Sequence, residues 1–245
     1  MSLDAYRFVF VITYARSGST LLQSILNSTP GVLLRGENHG LLFHLFKATQ
    51  AAINTQERGK WKGQENPDTP WFGAGKVAAE ALKTRLLDGF ITDVLAPPEG
   101  VEITGFKEIR HTPPFMNDTE FEAYIAFLLA EFPGAKLVFN ARDASKVSQS
   151  AWLKNVDPKK TIAHVKTCDR RFAAASAAHP ESCFHVQYED FTANPDRFEG
   201  LFSFLDLPYD KARIDAVLNK PLDHAKKGAK KGGGKKAGAK AGGRR

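Results

Sequence analysis

The chain has 245 residues and is 42% hydrophobic, enough to bury one α/β core and too little for a second full domain. Its formal net charge of +7 misleads, because residues 226–245 hold nine Lys or Arg and no acid, which leaves −2 for the rest. The two cysteines, Cys168 and Cys183, show no CxxC spacing, so neither a disulfide framework nor a cysteine metal site is supported and both read as buried thiols.

In chain order, the first element is an unbroken apolar, β-branched run over 8–13, which has the character of a buried strand. It is too short for a signal-peptide core or a membrane span, so a cytoplasmic protein is expected. The run passes directly into Tyr14-Ala15-Arg16-Ser17-Gly18-Ser19-Thr20-Leu21-Leu22 and an amphipathic stretch through Asn27. Gly18 lets the backbone turn without a Cβ in the way, the first N–H groups of the next helix point at an anion, and Arg16 adds a planar cation. The ligand is therefore expected to carry phosphate or sulfate.

Further strands are predicted over 32–34, 102–106, 136–141 and 183–188. Helices are predicted over 18–28, 37–54, 73–95, 118–132, 144–153, 159–177, 196–204 and 210–219. The alternation defines an α/β fold with a central, mainly parallel sheet of four to five strands flanked by helices. Residues 57–72 lack periodicity but carry Trp61 and Trp71, which makes them either a lid or wall of a substrate site or a loop pinned to the core. The Lys/Gly/Ala-rich tail over 226–245 cannot bury apolar surface and is expected to be disordered, a contact for a polyanion or a solubilising appendage.

The turn over 16–20 differs from a nucleotide triphosphatase loop. It lacks the GK[ST] that places lysine on the phosphates and a hydroxyl on magnesium, and no acidic residue ends the strand over 136–141. That strand ends at Asn140-Ala141-Arg142 instead, with Ser150 eight residues on and Lys154 four beyond it. On a helix starting near Ala144 Ser150 and Lys154 share a face, so Arg142, Ser150 and Lys154 read as a second anion site. A surface salt bridge is the other reading for Arg142.

Together, the Arg-Ser-Gly-Ser-Thr-Leu-Leu turn, Arg142 and Ser150 at that spacing, Leu33-Leu34-Arg35-Gly36-Glu37-Asn38, and Ile103-Thr104-Gly105-Phe106-Lys107-Glu108 resemble the sulfotransferases that use 3′-phosphoadenosine 5′-phosphosulfate (PAPS). The likeness is to bacterial carbohydrate-type and tyrosylprotein-type members and runs from about residue 8 to 206. It implies a single P-loop-type domain over 1–225 ahead of the 226–245 tail. It implies PAPS as donor and adenosine 3′,5′-bisphosphate as product, with the 5′-phosphosulfate on Arg16, Ser17, Gly18, Ser19, Thr20 and Leu21. The 3′-phosphate falls to Arg142 and Ser150.

By the same resemblance Glu37 is the base that takes the acceptor proton, with His39 as runner-up, and Lys107 steadies charge on the leaving oxygen. Tyr188, in Tyr-Glu-Asp, is the residue that contacts the adenosine, or else a core tyrosine. A sulfonate carries less charge than a γ-phosphoryl group, so Arg16, Lys107 and backbone amides suffice without a metal. The acceptor is expected to be a glycan or small-molecule hydroxyl. A metal-dependent small-molecule kinase, or a non-catalytic module binding polyanions through the tail, are the competing classes.

Overall fold

The structure, a computed structural model, describes residues 3–60 and 65–220. The tail over 226–245 and Trp61 lie outside the described residues. Five strands form one parallel sheet: β1 (Arg7–Thr13), β2 (Val32–Arg35), β3 (Ile103–Glu108), β4 (Lys136–Ala141) and β5 (Cys183–Gln187). They stand in the order β2-β3-β1-β4-β5. β1 is central because it is apolar on both faces, every residue after Arg7 being buried. It pairs with β3 from Arg7↔Ile103 and with β4 from Val9↔Lys136.

The two faces of β1 are covered by different helices. Phe8, Phe10 and Ile12 pack into a core with α2 (Leu41–Arg58), α3 (Ala79–Gly89), α4 (Asp118–Glu131) and α6 (Pro158–Ala178). Val9 and Val11 face α1 (Ser19–Asn27), α8 (Phe198–Phe204) and α9 (Lys211–Leu218) through Leu22, Ile25, Phe202 and Ile214. The short helices α5 (Ala144–Ser148) and α7 (Tyr188–Ala193) follow β4 and β5 directly. Both cysteines are buried free thiols, and burial pushes Cys168 up to about 12 and Cys183 up to about 11. No helix among the described residues is long and apolar enough to cross a membrane.

Several boundaries depart from the sequence expectation for local reasons. The helix predicted from 37 starts at Leu41, because His39 (φ 61°) and Gly40 (φ 69°) are left-handed and cannot belong to it. The helix predicted from 73 starts at Ala79 and closes in a wider turn over Phe90–Leu95, where Ala96 N donates to Ile91 O at 2.8 Å. Tyr188 opens α7 rather than ending β5. Residues 57–58 belong to α2, and Trp71 lies under the Arg58 guanidinium at 5.7 Å, so Trp71 rests against the end of that helix.

Candidate active site

β1 turns into α1 through Ala15–Gly18 under tight backbone control. Arg16 (φ 67°) and Gly18 (φ 83°) are left-handed, and Gly18 caps α1 with no side-chain bond. A Cβ on Gly18 would stand 2.1 Å from Tyr188 Cδ2, so only glycine admits the ring that α7 lays against the turn. The N–H groups of Ser19 and Thr20 take no partner among the described residues, while Leu21 N already donates to Gly18 O at 2.9 Å. They are the free N-terminal donors that make a helix start an anion cradle.

Ser17 does not face the cleft. It is fully buried, with its hydroxyl 2.6 Å from Thr13 Oγ1 and its carbonyl accepting from Asn140 Nδ2 at 3.0 Å. Its work is to fix the turn to β1 and β4. Tyr14 does the same for the next strand: Arg142 N donates to its hydroxyl at 2.8 Å, and that hydroxyl lies 3.1 Å from Asp169 Oδ1. Burial pushes the Tyr14 hydroxyl far above the usual tyrosine range, so it stays a neutral donor and acceptor.

The two arginines are linked by one run of hydrogen bonds. Arg16 Nε donates to Ser150 Oγ at 3.1 Å, Arg142 NH1 donates to Arg16 O at 3.0 Å, and the Arg142 guanidinium covers the Tyr188 ring at 4.5 Å. Glu189 Oε1 stands 3.9 Å from Arg142 Nε, a charge neighbour without a hydrogen bond. Ser150 and Lys154 do not share a helical face as predicted. α5 ends at Ser148, Ser150 is extended, and Ala151 (φ 49°) starts a separate 3₁₀ turn over Ala151–Asn155. Lys154 is exposed and is not among the residues lining the cleft.

On the other side of β1, the loop after β2 meets the end of β3. Lys107 is 5% exposed, and its Nζ donates to Glu37 Oε1 at 2.7 Å. Arg110 NH1 lies 3.7 Å from Glu37 Oε2. Glu37 precedes α2 by four residues, so its carboxylate serves Lys107 rather than the helix dipole. His39 is exposed and does not line the cleft, and His111 is buried between Phe106 and Tyr124.

These pieces converge on a cleft of about 660 Å³, lined by Arg16, Gly18, Ser19, Thr20, Leu21, Glu37, Lys107, Arg142 and Tyr188 among others. Each strand delivers one part at its carboxyl end, where a doubly wound sheet places its ligand site. Three cations face one carboxylate, and the volume is that of a nucleotide-sized ligand site. A second cavity, of about 320 Å³ and lined largely by Val147, Leu153, Val156, Val165 and the exposed Trp152, opens beside the cleft and shares Ala15 and Trp152 with it. Among the described residues no cluster of three or more His, Cys, Asp or Glu is arranged to hold a metal.

The missed contributor is Glu108, fully buried at the end of β3 beside Lys107. Its sequence context, a Lys-Glu pair closing an otherwise apolar strand, reads as a solvated edge and gave no signal of that burial.

The parallel sheet, the glycine-capped anion cradle and the convergence of cations at the strand ends define a site built to hold an anionic group. A model of the sulfotransferase family matches residues 9–211, and the chain belongs to that family. It is 24% identical over 222 residues to a Caenorhabditis briggsae protein named "Putative protein-tyrosine sulfotransferase", covering 85% of this chain and 68% of that one. The sulfotransferase domain of the Synechococcus PCC 7002 olefin synthase shares the fold, with a TM-score of 0.50 and 17% identity over 86% of this chain and 78% of that domain. The sulfotransferase domain of the curacin biosynthetic pathway aligns with a TM-score of 0.49 at 16% identity, over 85% and 76% of the two chains.

Proposed function

We propose that the chain transfers a sulfonate from PAPS to an acceptor hydroxyl by in-line displacement, with Glu37 as the general base. PAPS supplies the sulfonate, and its departure leaves adenosine 3′,5′-bisphosphate. The free N–H groups of Ser19 and Thr20 hold the phosphosulfate end together with Arg16. Arg142, with Ser150 behind Arg16, answers the 3′-phosphate, and Tyr188 the adenosine. Ser17 acts from beneath the turn, and Lys154, exposed and outside the cleft lining, takes no part in the proposed donor contacts.

The observation that carries the reading is the 2.7 Å contact between Lys107 Nζ and Glu37 Oε1 on the rim of the cradle. A carboxylate that can take a hydroxyl proton and a cation that can meet charge on the departing oxygen stand side by side. Lys107 has three N–H donors, and Glu37 takes one of them. A cation fixed there stabilises the developing charge more than the ground state. Glu37→Gln should lower turnover by about 100-fold or more with the affinity for adenosine 3′,5′-bisphosphate unchanged. Turnover at the wild-type rate would remove the base assignment.

The apolar cavity beside the cleft supports an acceptor with an apolar body more than an unsubstituted sugar. Competition between 2-naphthol and glucose as acceptors decides this, and preference for glucose would reverse it. Residues 1–225 are proposed as the catalytic domain, with 226–245 as a disordered basic appendage that can meet polyanions. Deleting 226–245 should leave donor binding intact, and loss of that binding would reverse the division.

A further inference from the structure

Glu108 is fully buried, yet the chemistry above makes no use of it. Its carboxylate is saturated with donors. Asn38 N and Gly40 N donate to Oε2 at 3.0 and 2.8 Å, and Ile109 N and Arg110 N donate to Oε1 at 2.8 and 3.1 Å. The Arg110 guanidinium adds a contact to Oε1 at 3.2 Å.

Two of these donors belong to the loop that carries Glu37. Left-handed His39 and Gly40 turn the backbone so that the N–H groups on either side of His39 converge on one oxygen. Successive N–H groups arranged in this way form an anion-binding concavity, and here the anion is the protein's own carboxylate. Lys107 and Glu108 are neighbours on β3 and leave it on opposite sides. Lys107 takes the Glu37 side chain while Glu108 takes the backbone that follows it. Arg110 joins the two carboxylates, 3.2 Å from Glu108 and 3.7 Å from Glu37.

We propose that Glu108 is a positioning residue, a buried carboxylate whose bonds to Asn38 and Gly40 hold the loop after β2 so that Glu37 meets the cleft beside Lys107. The assignment rests on Glu37 as the base. Burial alone would raise the Glu108 pKa, but the N–H bonds from Gly40, Ile109 and Asn38 outweigh it and the net direction is down. A glutamine there offers one accepting oxygen, and its NH₂ faces converging N–H donors. The proposed donor contacts lie in the turn after β1, at the start of α1 and after β4 and β5, and none is a hydrogen-bond partner of Glu108, so donor affinity and turnover should separate.

The test uses the full chain and its Glu108→Gln, Glu108→Asp and Glu37→Gln variants. It measures calorimetric affinity for adenosine 3′,5′-bisphosphate, transfer from PAPS to 2-naphthol, and amide hydrogen exchange by NMR. Glu108→Gln should lower kcat by about 100-fold, the usual effect of misplacing a catalytic group by about 1 Å, with bisphosphate affinity within about threefold of wild type. Exchange at Asn38 and Gly40 should accelerate while β1 keeps its protection. Glu108→Asp keeps the charge on a shorter arm and should fall between, which also covers a Glu108→Gln chain that does not fold.

Wild-type kcat and unchanged exchange at Asn38 and Gly40 in either variant would overturn the proposal, as would a parallel loss of bisphosphate affinity. If Glu37→Gln alone keeps wild-type turnover, the base reading fails, and the exchange data still decide whether Glu108 clamps the loop.

Discussion

Gly18 is the residue on which the cradle turns. Its φ of 83° is left-handed, and a Cβ there would meet Tyr188 Cδ2 at 2.1 Å. Gly18→Ala is expected to cost at least about 1–2 kcal/mol of stability from the backbone term alone. It should also weaken bisphosphate binding, because Tyr188 and Arg142 must move off the turn. Urea unfolding with calorimetry checks both, and wild-type values would contradict the packing described.

His111 makes a pH prediction at the same scale. Burial lowers its pKa to about 4 from the usual 6.5, with Glu108 pulling the other way. The unfolded chain takes up a proton at this side chain below pH 6.5 and the folded chain resists it, so its contribution to stability is complete above 6.5. That contribution declines as pH falls towards 4. Unfolding midpoints between pH 7 and 4 should drop, and His111→Phe should flatten the slope over that window; an unchanged slope would count against it. Arg16 and Arg142 stand out in the sequence at the ends of apolar strands, and Glu37, Lys107 and Tyr188 through the family resemblance; all five line one cleft. Glu108 does not stand out, since a carboxylate beside a lysine reads as a solvated edge until tertiary structure buries it.

At the scale of elements, Arg171 on α6 shows how the outer helices are tied together. It is 6% exposed, and its guanidinium reaches Asp118 Oδ1 at the start of α4 and donates to Met116 O at 2.9 Å. Arg171→Leu leaves that buried carbonyl without its donor and should lower stability by about 1–3 kcal/mol while sparing bisphosphate affinity. Chemical unfolding beside calorimetry would detect the opposite pattern. Strand positions followed the sequence closely because apolar β-branched runs have few other uses. Helix starts did so where a local signal marks them: Asn117 caps α4 with a full capping box, and α4 begins where predicted. The starts of α2 and the break after α5 depend on left-handed His39 and Ala151, residue types that give no local warning.

Across the whole molecule, the parallel sheet gathers five chain segments, far apart in sequence, at one edge. β1 stands at the switch point, with β2 and β3 bringing Glu37 and Lys107 from one side and β4 and β5 bringing Arg142 and Tyr188 from the other. Alternating strands and helices made this architecture legible. The hydrogen bonds that link Arg16 to Ser150 and Arg142 were not, because they depend on β4 lying directly beside β1.

This edge of the sheet is proposed to hold PAPS for sulfonate transfer. Calorimetric titration of the full chain with adenosine 3′,5′-bisphosphate, against ATP with magnesium, tests it most directly. The account predicts that the bisphosphate binds without magnesium, more tightly than ATP, and at least about tenfold more weakly to Arg142→Ala. Preference for ATP with magnesium, or bisphosphate binding indifferent to Arg142, would contradict it.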